Sequence, residues 1–110
     1  MSLTSLELDL LVAIDQLTRD SYLPTEQDEV FVELARMGVE PPNAMWLYHA
    51  AEQLRDDGYI EAYFAGGMTI VNLKLTREGR EAARTARRLQ LLSRTRTSLL
   101  GVAAWTLRRN

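Results

Sequence analysis

Cysteine is absent from the 110 residues, which excludes a disulfide framework, thiol catalysis and any zinc or iron–sulfur site built on cysteine ligands. No apolar run approaches the roughly 20 residues that are needed to cross a bilayer. Glu7 and Asp9 interrupt the first apolar stretch and no basic residue precedes it, so no secretion signal is predicted. We therefore expect one globular domain located in the cytoplasm.

Histidine and lysine are nearly absent as well, because His49 and Lys74 are the only ones in the sequence. A single histidine cannot build a metal site without carboxylates at ligand spacing. The sequence also contains no nucleophile elbow, no glycine-rich phosphate loop and no paired catalytic carboxylates. We predict neither a metal nor a cofactor, and we do not expect an enzyme.

The charge is distributed very unevenly along the chain, although the net charge is only -2. Residues 1–61 contain 13 acidic and 3 basic side chains, a net charge of -10, whereas residues 62–110 contain 10 basic and 2 acidic side chains, a net charge of +8. Such a division is typical of a basic surface for polyanions, or of two halves that attract each other within a chain or between chains.

A first helix is predicted from about residue 4 to residue 19, because apolar residues recur there at helical spacing. Thr4 followed by Glu7 matches a capping box at its start. The helix is apolar on more than one face, since Leu8, Leu11 and Val12 form a second one. We interpret this second face as a surface for a partner subunit; the alternative is that another helix of the same chain covers it.

Two further helices are predicted before the pattern changes. The second begins at Thr25 with Asp28 and ends at Gly38, and the third covers residues 43–57 before Gly58. The expected inward face of the third helix consists of Ala44, Leu47, Ala51 and Leu54. Alternating runs at residues 59–64 and 68–75 then flank the turn at residues 65–67, which predicts a β-hairpin.

A final helix is predicted to begin near Arg77, capped by Thr76, and to extend as far as Leu107 unless Ser98 or Gly101 interrupts it. Leucines at roughly heptad spacing indicate that this helix pairs with a second copy. The residues expected at the dimer contact, besides the second face of the first helix, are Leu89, Leu92, Leu99, Leu100 and Leu107. Membrane-surface binding by residues 98–109 is the alternative.

Residues 50–61 (AAEQLRDDGYIE), the hairpin, and residues 75–80 (LTREGR) together resemble the winged helix-turn-helix family. The similarity is greatest to small bacterial regulators of PadR and MarR type, and it covers about residues 3–85. It implies an α+β, mostly α fold with three helices, a two-stranded wing and a long C-terminal helix. The expected domain is residues 1–85, with residues 77–110 forming a basic, dimerising helix continuous with it.

The resemblance implies a cytoplasmic homodimer that binds double-stranded DNA and regulates transcription, with its third helix in the major groove. The side chains expected to read bases are Asn43, Met45, Trp46, His49 and Gln53. Arginines three or four residues apart on the last helix are expected to bind phosphates. These are Arg77, Arg80, Arg84, Arg87 and Arg88. Glu52, Asp56 and Asp57 on the third helix would repel phosphate.

Because of those three acids, a second reading stays open: a winged-helix module that binds a basic protein through its acidic first half, without specific DNA binding. In that case the arginines form a solvated face, or pair with acidic helices of a partner subunit. The aromatic residues allow either a small-molecule effector pocket between dimer helices or packing in the core and between helix and wing. They are Tyr22, Trp46, Tyr48, Tyr59, Tyr63 and Phe64.

Overall fold

The computed structural model describes residues 3–20, 23–40 and 43–89. These residues form four helices and a two-stranded antiparallel hairpin, so the expected α+β, mostly helical class is confirmed. The elements are α1 (Ser5–Thr18), α2 (Gln27–Arg36), α3 (Ala44–Asp56), β1 (Ile60–Ala65), β2 (Thr69–Leu75) and α4, which covers residues 77–89 of the described chain.

The helix starts follow from local side-chain capping, with one exception. Thr4 and Glu7 form the predicted capping box at α1, and the Asn43 side chain accepts a hydrogen bond from the Trp46 amide at the start of α3. The prediction that Thr25 begins α2 is wrong. Glu26 is the N-cap residue of α2 and makes no capping hydrogen bond with its side chain, because Thr25 pairs with β2 instead.

The hairpin is irregular close to the residue of β2 that pairs with the segment between α1 and α2. Between the Glu61–Lys74 and Tyr63–Val71 pairs, β2 contains one more residue than β1, and Asn72 there adopts a left-handed φ of 57°. The next residue, Leu73, exchanges two backbone hydrogen bonds of 2.8 Å with Thr25. The segment between α1 and α2 is thereby attached to the free edge of β2.

The core lies around α1, which packs against α2, α3 and β2. Five consecutive residues of α1, numbers 10–14, are fully buried. Leu11 belongs to the main core cluster, and Val12 also has no exposed surface. Their predicted role as a partner surface is therefore corrected: the chain itself covers both side chains, whereas Leu8 is half-buried.

The third helix, the hairpin and the last helix meet at one junction. Gly58 turns the chain out of α3 with a φ of +85°, and Leu54 and Ile60 on either side of the turn are buried. Thr76 donates a 2.6 Å hydrogen bond to the Gly58 carbonyl and accepts one from the Gly79 amide. A β-carbon at Gly79 would overlap the Tyr59 carbonyl oxygen, so α4 approaches the chain here as only glycine permits.

Several expectations fall on residues outside the described ones. These are Leu92, Leu99, Leu100 and Leu107 of the expected dimer helix, its extension through residue 110, the membrane-binding alternative at residues 98–109, and Tyr22. Across residues 3–20, 23–40 and 43–89, no helix combines the length and the apolar character needed to span a bilayer.

Candidate functional site

A basic groove, with a volume of about 550 Å³, lies between the end of α1, the end of β2 and α4. Six cationic side chains line it, against a single carboxylate, that of Asp15. The cations are Arg19, Lys74, Arg80, Arg84, Arg87 and Arg88. Thr18, Leu23 and Leu75 complete the lining. Most of the positive charge of the described domain is thus concentrated in one concave surface.

Asp15 orients two of these cations. Its Oδ2 atom accepts hydrogen bonds from Arg19 at 2.8 Å and from Arg87 at 3.1 Å, and its side chain is only 18% exposed. Arg19 lies one turn further along α1, but Arg87 comes from α4, so the second contact joins distant parts of the chain. One carboxylate cannot neutralise two guanidinium groups, so this part of the groove keeps a positive charge.

The charges of the other cations in the groove are neutralised less by neighbouring carboxylates. Lys74 pairs with Glu61 across the hairpin at 3.1 Å, and both side chains are more than half exposed. Arg80, Arg84 and Arg88 are exposed, and none of them forms an ion pair with another described residue. Spaced four residues apart on α4, they follow one another along one side of the helix.

Four of the five arginines that sequence reasoning assigned to phosphate binding line this groove together. Arg77 does not: it lies at the start of α4, is 89% exposed, and is 3.8 Å from Glu81. Sequence reasoning missed Arg19 and Lys74, which the fold brings to the same groove. No spacing rule could have found them, because they belong to α1 and β2 and reach α4 only through tertiary packing.

The exposed side of α3 contains most of the residues expected to read bases. Met45, His49 and Gln53 are exposed and lie one helical turn apart, while Leu47, Ala51 and Leu54 face the core. Asn43 is also exposed, although its side-chain oxygen is engaged in capping the helix. The structure differs from the prediction at two positions. Trp46, which was expected to face the bases, is half-buried against the core, and Ala44, which was expected to face inward, is exposed.

The polar groups on α3 are largely paired with one another. His49 Nδ1 lies 3.1 Å from Glu52, and the Gln53 amide donates to Asp57 at 3.1 Å. Arg55, the only arginine of α3, pairs with Asp56 and places its guanidinium 4.3 Å from the centre of the Phe64 ring. This arginine therefore ties α3 to the hairpin, and the exposed side of α3 offers no unpaired cation.

The base-reading and phosphate-binding residues do not line a common cavity, since no residue of α3 lines the basic groove. Those aromatic residues that the structure describes do not line it either. Tyr48 and Phe64 meet edge to face at 5.2 Å, and Trp46 and Tyr59 pack against the core, whereas Tyr63 is 65% exposed. Four of the described aromatic residues thus pack against the core, whereas an effector pocket between the helices of a dimer stays a prediction.

Of the leucines expected at the dimer contact of the last helix, Leu89 is the one that the structure describes, and it is 58% exposed. Among the described residues, no group of three or more histidine, aspartate or glutamate side chains is placed to hold a metal ion.

Comparison of the chain with known protein families, curated proteins and solved structures gave no match. A function for this chain is therefore inferred from the geometry of its own residues.

Proposed function

We propose that the chain is a winged helix-turn-helix protein that binds DNA in a sequence-specific manner, as a homodimer, and regulates transcription. The order of the elements supports this fold, because three helices precede a hairpin and α4 follows it. The pairing of Thr25 with Leu73 attaches the segment between α1 and α2 to the edge of the same hairpin.

The observation that carries the proposal is the exposed stripe of Met45, His49 and Gln53 on the third helix. A helix that packs one face on the core and leaves the opposite face free can enter a major groove. Gln53 has an amide suited to adenine, and His49 can donate to guanine or to a phosphate. The arginines of the basic groove, with Arg77, supply phosphate contacts.

The experiment selects fragments of sheared genomic DNA on the purified protein at low and at near-physiological salt. We expect a few fragments that share a palindrome at the higher salt. Gln53→Ala should change the preferred sequence, because it removes a base contact. Arg84→Ala should weaken binding to every sequence and flatten the slope of log affinity against log salt by about 0.9 for one lost phosphate contact.

Arg36→Ala is the matched control, because Arg36 is 73% exposed, pairs with Glu33 on α2 and lies outside both surfaces. It should leave affinity and salt slope unchanged. If Gln53→Ala and Arg84→Ala behave like this control, the assignment of the two surfaces is wrong.

A second candidate is a winged-helix module that binds a basic protein, and the acidic side chains of α3 favour it. Glu52, Asp56 and Asp57 surround the exposed stripe, and the one arginine of α3 is engaged with Asp56 and Phe64. Glu52→Gln with Asp56→Asn distinguishes the two functions. Removing these charges should strengthen DNA binding if α3 enters a major groove, and should weaken retention of a lysine-rich peptide if α3 binds protein.

A further inference from the structure

We infer that the basic groove between α1, β2 and α4 is a binding site for a small molecule with two or more linked phosphate groups. This site is separate from the exposed face of α3, which contributes nothing to the groove. The inference does not depend on DNA binding, because the ligand is recognised by the groove alone.

The shape of the groove favours a compact ligand. A volume of about 550 Å³ lies within the range of about 300–1,000 Å³ that is usual for small-molecule sites. The walls come from three separate elements, so a ligand inside is contacted from several directions.

The charge of the groove favours an anion with more than one negative charge. After Asp15 is shared between Arg19 and Arg87, and Lys74 is paired with Glu61, the guanidinium groups of Arg80, Arg84 and Arg88 remain uncompensated by described residues. A concave surface lined by charges of one sign concentrates the field and attracts counterions. A multivalent anion that occupies the groove relieves the repulsion between these cations.

The chemistry of the cations selects phosphate. Guanidinium groups present paired N–H donors that match two oxygens of a phosphate, and such charge-assisted hydrogen bonds are stronger than neutral ones. Successive arginines of the series lie about 6 Å apart along the axis of α4, at 1.5 Å per residue. A single phosphate reaches one or two of them, whereas a chain of linked phosphates can reach all three.

The remaining lining residues define the rest of the ligand. Thr18 also lines the groove, and its hydroxyl donates a hydrogen bond to the Ile14 carbonyl. Leu23 and Leu75 form an apolar part of the wall against which an organic group can pack. Asp15, by holding Arg19 and Arg87, fixes one end of the cation cluster before any ligand arrives.

The test is calorimetric titration of the full chain with inorganic tripolyphosphate at about 150 mM salt, without DNA. We expect saturable binding to one site per chain and a rise in melting temperature with ligand concentration. Arg84→Glu should lower the affinity at least about tenfold, because it removes a charge-assisted contact and adds repulsion. Arg80→Glu should act in the same direction.

Arg77→Glu is the matched control, because it reverses an exposed charge on the same helix but outside the groove. Arg77→Glu should lower the affinity for tripolyphosphate clearly less than Arg84→Glu does, because it changes the local field but removes no contact inside the groove. Circular dichroism of each variant establishes that the fold is retained.

Three results would overturn the inference. Absence of saturable tripolyphosphate binding at this salt concentration would show that the arginines of α4 form a solvated face. Equal losses in Arg77→Glu and Arg84→Glu would show attraction by net charge alone. Binding of a DNA duplex that depends on Arg84, together with no binding of tripolyphosphate, would assign the groove to nucleic-acid phosphates. Failure of DNA binding with saturable tripolyphosphate binding would instead overturn only the proposed function.

Discussion

Thr76 is the residue at which the end of α3, the hairpin and α4 are joined. Its hydroxyl donates to the Gly58 carbonyl at 2.6 Å and accepts from the Gly79 amide at 3.1 Å, and its own amide donates to the Tyr59 carbonyl. Thr76→Ala should lower the free energy of unfolding by about 1–2 kcal/mol, because it removes both a helix cap and a tertiary hydrogen bond. Urea unfolding measures this loss.

Thr85→Ala is the control for that measurement. Thr85 is exposed in the middle of α4 and donates only to the carbonyl of Glu81 in its own helix. Its replacement should change stability by less than about 0.5 kcal/mol, since alanine is also the better helix former. Equal losses in the two variants would mean that Thr76 acts only as an ordinary helical residue.

Replacing Gly79 by alanine has two opposing effects on the stability of the fold. In an exposed helix, replacing glycine by alanine gains up to about 1 kcal/mol. At Gly79, however, the new β-carbon would overlap the Tyr59 carbonyl oxygen, which belongs to the backbone and cannot move aside as a side chain would. Gly79→Ala should therefore destabilise the fold by about 1–3 kcal/mol, as overpacking does.

Guanidinium unfolding of Gly79→Ala beside Gly66→Ala tests this. A β-carbon at Gly66, in the hairpin turn, would meet no atom within 4 Å, so that variant should unfold at nearly the same denaturant concentration as the original chain. A Gly79→Ala variant more stable than the original would show that α4 shifts freely against the end of α3.

At the scale of the elements, the stability of β2 depends on the residue that adopts a left-handed conformation. Asn72, with a φ of 57°, lies where β2 contains its extra residue, next to the Leu73 that pairs with Thr25. A β-branched residue is unfavourable in this conformation by about 1–2 kcal/mol, whereas glycine adopts it freely. Asn72→Val should therefore lower the melting temperature and Asn72→Gly should not.

Thr69→Val serves as the control, because Thr69 is an exposed position of β2 whose backbone lies outside the left-handed region. Thermal unfolding followed by circular dichroism compares the three variants. If Asn72→Val and Thr69→Val have the same melting temperature, the left-handed residue does not limit the stability of the hairpin.

The elements also show which boundaries of helices and turns can be predicted from local sequence patterns. The capping box of α1 and the turn at Gly58 depend on residues close in sequence, and both formed as predicted. The Asn43 cap of α3 is equally local, although it was not predicted from the sequence. The start of α2 did not form as predicted. Thr25 had the right chemistry for a cap, but its backbone is committed to Leu73, which is 48 positions away, and no local pattern contains that contact.

At the scale of the whole molecule, the proposed homodimer rests on the last helix, since Leu11 and Val12 are covered by the chain itself. Leu89→Asp should shift the sedimentation coefficient from that of a dimer towards that of a monomer, because Leu89 is 58% exposed and a buried charge without a partner is costly. Val32→Asp should leave the dimer intact, because Val32 is similarly exposed, at 59%, on α2. A monomer in the original chain would contradict the proposal.

The sequence by itself determined the order and type of the described elements, though not the start of α2, because capping, glycine turns and apolar periodicity act over a few residues. It also determined that the positive charge lies in the second half of the chain. Only the tertiary structure decided that Leu11 and Val12 of α1 are internal, that the Arg55 guanidinium lies over the Phe64 ring, and that Arg19 and Lys74 join the arginines of α4. A periodic pattern shows which face of an element is apolar or charged, whereas the packing of distant elements determines what that face meets.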